Sequence, residues 1–99
     1  IRHDYAGERY ALFADEGIEA VSLMKECEGV KLDGTYTGKA LAALKQDARN
    51  GTLRDKTVLF WNTLNSRDFS DDISGLDYHY LARPFHRYFE EEVQPLDRD

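Results

Sequence analysis

The sequence predicts an α/β fold, a parallel βαβ fragment, and three observations carry that prediction. Apolar residues recur at helical spacing after Asp15 and again after Gly38. Two short strand-forming segments, Val30-Lys31-Leu32-Asp33 and Val58-Leu59-Phe60-Trp61, stand on either side of the second periodic stretch. Each periodic stretch also ends in a helix-stopping signal, Gly29 in one case and Asn50-Gly51 in the other.

The first helix is expected over about Glu16 to Glu28, with Asp15 as its N-cap. Gly17, Ala20, Val21, Met24 and Cys27 share one face of it, which makes Cys27 a packed small hydrophobe. Val30 to Asp33 then reads as a strand closed by the turn glycine Gly34. The second helix is expected from about Gly38 to Asn50, with Ala40, Leu41, Leu44 and Ala48 as its apolar stripe and Lys45, Gln46, Asp47 and Arg49 facing water. Val58 to Trp61 suits a parallel strand buried on both faces, and strand–helix–strand should cross over right-handedly. Asn62 to Asp77, rich in Asn, Ser, Asp and Gly, reads as loop. A last short helix is expected over Pro84 to Glu92, with Phe85, Tyr88 and Phe89 on one face and Pro95 as its stop. So few strands leave apolar edges to cover, which points to neighbours: more of the same chain, or a homodimer or higher oligomer.

Ninety-nine residues amount to one small domain or part of a larger one, and the chain opens on Ile1 without an initiator Met, which points to a fragment. An apolar share of 41% and a charged share of 32% exclude a disordered polymer, a collagen and a disulfide scaffold. No apolar run approaches the roughly 20 residues that span a bilayer, and Ile1 to Tyr5 lacks the apolar core of a signal peptide. Neither a membrane nor a nucleic acid is therefore expected as partner, since the net charge is -6 and no basic stripe is present. The tail from Glu90 to Asp99 holds much of that negative charge and reads as a solvated end. A single Cys27 fits a reducing compartment such as the cytoplasm.

His86 and Glu90 stand one helical turn apart, but two ligands do not make a metal site, and His3 and His79 have no spacing that would complete one. Ser66, Asp68, Ser70, Asp71 and Asp72 lack the spacing of a calcium loop. The informative stretch is Glu28 to Ala40. Tyr36 and Thr37 fall between the expected strand and the following helix, and Thr63 falls just past the second strand. In an open parallel sheet all three would share the edge where ligands bind. Tyr offers a ring face and a phenol, and Thr a hydroxyl.

That stretch, Glu28-Gly29-Val30-Lys31-Leu32-Asp33-Gly34-Thr35-Tyr36-Thr37-Gly38-Lys39-Ala40, resembles a segment of fold-type II pyridoxal-phosphate-dependent enzymes. The branch it resembles holds D-cysteine desulfhydrase and 1-aminocyclopropane-1-carboxylate deaminase. Tyr10 with Asp15 to Ala20 upstream, and Val58 to Thr63 downstream, are similar to flanking motifs of the same family. The resemblance implies the C-terminal part of a three-layer, tryptophan synthase β-subunit-like fold. It also implies a lyase or deaminase that turns a small amino acid into an α-keto acid and ammonia.

In that family's terms Tyr36 would face the cofactor ring and move a proton near the substrate, and Tyr10 would be a second active-site tyrosine. Thr63 would partner the pyridine nitrogen, with Thr37 beside it. A hydroxyl partner leaves the ring a weaker electron sink than a carboxylate would. Thr37 stands where the deaminase carries Glu, which tilts the resemblance to the desulfhydrase side. The chain departs from the family at Gly34-Thr35, at Ala11-Leu12-Phe13 and at Leu64-Asn65, the last in place of a glycine pair. The family's Schiff-base lysine and phosphate-binding glycine loop lie upstream of the matched region, so the rest of the catalytic domain is an implied partner and this chain alone is not expected to catalyse. The alternative expectation is a non-catalytic α/β interaction module.

Overall fold

The computed structural model describes residues 2–94. Four α-helices occur in order: α1, Asp15–Glu28; α2, Thr37–Arg49; α3, Ser70–Ile73; and α4, Arg87–Glu90, with single 3₁₀ turns at Tyr78–Tyr80 and Arg83–Phe85. Among the described residues there is no strand, so the expected parallel βαβ arrangement is not formed and the α/β assignment is corrected to a helical one. Pro95, the expected stop of the last helix, lies outside the described residues.

The reason lies in what a strand requires. Val30 to Asp33 and Val58 to Trp61 each place one side chain in the core: Leu32 is fully buried, and Phe60 packs partly buried against the same cluster. The polar tie between the two stretches is the Asn62 side-chain amide, which donates to the Lys31 carbonyl at 3.2 Å where a ladder would have backbone rungs. A strand buried on both faces needs covering on both. Here Leu59 is 76% and Trp61 73% exposed.

The core therefore belongs to the helix pair. Ala20 and Val21 of α1 meet Leu41 and Ala42 of α2 around Leu32. The helices approach closely because the contact is built from small residues. A Cβ on Gly38 would lie 2.7 Å from the Asp33 carbonyl oxygen, 2.8 Å from Val21 Cγ2 and 3.2 Å from the Gly17 carbonyl oxygen. That contact sets the face of α2: Gly38, Leu41 and Ala42 point inward, whereas Ala40 and Ala48 are exposed and Leu44 is half-buried. Cys27, expected on the buried stripe, is likewise exposed at the far end of α1.

Helix ends follow local chemistry. Gly29 closes α1 at φ 65°, its N–H on the Lys25 carbonyl at 3.0 Å, a left-handed cap that glycine adopts without a Cβ penalty. Asp15 is the first helical residue and Ala14 the N-cap, so Asp15 and Glu16 act on the first turn through charge. The expected last helix, Pro84 to Glu92, divides into the Arg83–Phe85 turn and α4, and α3 stands inside the expected loop. Tyr78 stacks on His79 and on Phe89, with centroids 4.1 and 4.7 Å away, so this arm is organised by its own rings.

Candidate functional site

The turn before α2 is built on Asp33. Its Oδ1 accepts from the backbone N–H of Thr35 at 2.9 Å and of Tyr36 at 2.6 Å. Its Oδ2 accepts from the Thr37 N–H at 3.2 Å and the Thr37 hydroxyl at 2.6 Å. The carboxylate so satisfies orphan donors at the start of α2, the work of an N-cap done from three residues ahead of Tyr36. Burial alone would push the Asp33 carboxyl up, but the Thr37 hydroxyl and the three backbone donors outweigh it and hold it below the ordinary carboxylate range. With Gly34 buried beneath and Thr37 turned inward, the turn projects Tyr36 outward.

There Tyr36 meets Tyr10. The two phenol oxygens are 2.8 Å apart, and the rings stand edge to face with centroids 6.1 Å apart. They line an open cleft of about 560 Å³ with Arg2, Tyr5, Thr35 and Lys39 among the other walls. Tyr36 is 61% exposed, so its ring face is accessible. The hydrogen bond to Tyr10 foremost, then partial desolvation and the negative charge nearby, raise the Tyr36 phenol above the usual tyrosine value. It is a neutral proton donor at physiological pH.

Tyr10 belongs to no helix, and side chains from distant elements fix its segment. Lys39 Nζ donates to the Ala6 carbonyl at 2.7 Å on one side. On the other, the Gln94 amide donates to the Ala11 carbonyl at 2.9 Å and accepts from the Phe13 N–H at 3.0 Å. Arg2 Nη1 adds a donor shared between the two carboxylate oxygens of Asp47 of α2, at 3.0 and 2.9 Å.

Of the four sequence-derived site residues, Tyr10 and Tyr36 come together. Thr37 lies directly after Tyr36 but spends its hydroxyl on Asp33, while Thr63 is exposed and does not line the tyrosine cleft. Asp33 and Lys39 are the residues sequence reasoning passed over. An Asp just ahead of a helix start was the available signal for Asp33; nothing local marked Lys39 as buried.

Elsewhere the described residues hold no group of three or more His, Cys, Asp and Glu placed to bind a metal. His86 Nε2 lies 2.9 Å from the Leu81 carbonyl, and the Glu90 carboxylate accepts from the Tyr78 phenol at 3.2 Å. No helix among the described residues is long and apolar enough to cross a membrane.

Pyridoxal phosphate, the group implied by the resemblance, asks for a ring-facing wall, a phosphate cradle and a lysine. The exposed ring and paired phenols suit the first. The helix end that could take a phosphate is α2, and Asp33 already occupies its donors. Lys39 is held on the Ala6 carbonyl. The described residues thus fit one wall of such a site. No protein-family model matches the sequence.

Proposed function

We propose that this chain is the C-terminal part of a pyridoxal-phosphate-dependent lyase or deaminase acting on a small amino acid and yielding an α-keto acid and ammonia. One observation carries the reading. Tyr10 and Tyr36, the two residues that the resemblance marks as active-site tyrosines, lie 26 positions apart in sequence, yet their phenol oxygens are 2.8 Å apart.

The bound cofactor would supply the electron sink for labile Cα chemistry, and a preceding part of the same catalytic domain would supply the lysine and the phosphate cradle. The work of this chain is at the two phenols. Tyr36 Oη, kept protonated, donates a proton to a reacting atom within hydrogen-bond reach of the phenol. Tyr10 Oη, already in hydrogen-bond contact, passes its own proton to Tyr36 and regains one from solvent. Asp33 holds the Tyr36 backbone N–H at 2.6 Å, fixing the origin of that side chain without touching the substrate. Thr63 would be the ring-nitrogen partner, and Thr37 a support of the Asp33 turn.

The test is the product of the native gene. Its intact mass should exceed 11.4 kDa, and it should show a visible lysine-bound pyridoxal band abolished by borohydride. Tyr36→Phe should then lower turnover while leaving the band. A product of 11.4 kDa without a band, even after added pyridoxal phosphate, would overturn the reading. The second reading, a non-catalytic interaction module, is favoured by the exposed Leu59 and Trp61 and would stand on that outcome.

A further inference from the structure

We propose that Lys39 is the positioning residue of the tyrosine pair: its ammonium, by holding the Ala6–Gly7 turn against α2, sets the Tyr10 phenol in register with Tyr36. The inference rests on the tyrosine site described above and not on any cofactor.

Lys39 is a buried cation, only 9% exposed, one turn along α2 from Tyr36. Its stem crosses α1, since a Cβ on Gly17 would lie 3.8 Å from Lys39 Cγ. Its ammonium then donates to the Ala6 carbonyl at 2.7 Å. The turn is shaped to receive it: Gly7 has φ +81°, and a Cβ there would lie 3.2 Å from Nζ. A single side chain therefore ties α2, α1 and the segment carrying Tyr10.

The reason for spending a lysine here is that the Tyr10 segment has no helix or strand to place it. Arg2 and Asp47 also tie this segment to α2, but their pair is more exposed and attaches eight residues before Tyr10, while Gln94 holds Ala11 and Phe13 on the far side of Tyr10 without reaching α2. An exposed ion pair is screened and weak, whereas a charged donor whose own stem is buried, as at Lys39, is held in one direction. Ala6 lies four residues before Tyr10, close enough for its anchoring to fix where the phenol falls.

The experiment is a tyrosine titration of the full chain, read at Tyr36 itself by the NMR signal of its ring-labelled phenol carbon, assigned by its loss in Tyr36→Phe. Lys39→Met keeps the stem and removes the donor. It is expected to lower the Tyr36 midpoint to that of Tyr10→Phe, with no further drop in the double variant. Lys39→Arg should restore it. Lys45→Met, which breaks another tie between α1 and α2 (Lys45 Nζ to Glu19 Oε2, 2.6 Å), should leave the midpoint unmoved.

A folded Lys39→Met chain with the wild-type Tyr36 midpoint would overturn the proposal, and so would an equal drop in Lys45→Met. Should Lys39→Met lose its helical circular dichroism, Gly7→Ala displaces the turn from the other side, and an unchanged midpoint there overturns it equally. Because no cofactor or turnover enters the readout, a native gene product without the pyridoxal band would refute the proposed function and leave this assignment standing.

Discussion

Gly38→Ala probes the close approach of the two long helices directly, because one added methyl meets three neighbours at once. It would lie 2.7 Å from the Asp33 carbonyl oxygen, 2.8 Å from Val21 Cγ2 and 3.2 Å from the Gly17 carbonyl oxygen. Two of these are backbone atoms that cannot rotate away. The Asp33 oxygen also accepts the Gly38 N–H at 2.8 Å, so moving it breaks a bond that starts α2. Overpacking of this kind costs about 1–3 kcal/mol, while alanine in a helix returns at most about 1 kcal/mol. The net expectation is a loss of up to about 2 kcal/mol, or up to about 2 M in urea midpoint at a slope of about 1 kcal/mol/M. Adding Val21→Ala should not restore it, because it relieves one contact of three. Gly75→Ala is the control: nothing stands within 4 Å of its Cβ, so its midpoint should hold or rise slightly. Urea unfolding followed by circular dichroism measures all of these. A Gly38→Ala chain as stable as wild type would refute the close-approach argument.

Asp33→Asn removes the charge and presents an N–H₂ to donors, so it should destabilise by about 0.5–2 kcal/mol near neutral pH, as lost caps do. The Asp33 carboxyl titrates lower folded than unfolded, so its contribution is present above about pH 4 and is lost as pH falls through the folded value; the wild-type minus Asp33→Asn difference in urea midpoint should shrink there. Tyr10→Phe should bring the Tyr36 titration down towards the ordinary tyrosine value of about 10, read by the same NMR signal of the Tyr36 phenol carbon. Leu32→Ala, at the fully buried centre of the core, should cost about 2–5 kcal/mol in denaturant unfolding. Trp61→Ser, at an exposed position, should change stability little and reduce self-association measured by sedimentation.

The two long helices were legible to within a residue because their signals are local: a 3.6-residue period and a glycine stop. Their contact was less so. Ala40 and Ala48 carry the same periodicity as Leu41, yet only the geometry at Gly38 decides which small residues turn inward. Strand propensity at Val58 to Trp61 was real but insufficient, since pairing is a property of two segments and their covering, not of one. At the site, Tyr36 was visible from its place before a helix. Its partner Tyr10 followed only from resemblance, because the ties that position it span from 33 to 83 residues. Lys39 went unmarked because helical position alone does not reveal that a glycine turn comes down on it.

Two features of the structure bear on the same conclusion from opposite ends. The phenol pair has good geometry, but Tyr10 is 76% exposed and the cleft is open, so water competes for both hydroxyls. A positioned proton donor gains most of its catalytic worth where water is excluded and its partner cannot exchange. Leu59 and Trp61, away from that cleft, leave apolar surface uncovered beside a backbone without a ladder. Adding protein against the first would desolvate the phenols, and adding protein against the second would cover the exposed apolar side chains. Both needs would be met by the further parts of the catalytic domain proposed above; a small partner bound at Trp61 alone would meet only the second. The difference is measurable: in the native gene product Tyr10 and Tyr36 should resist nitration, whereas an interaction module would protect Trp61 from solvent quenching and leave both tyrosines reactive.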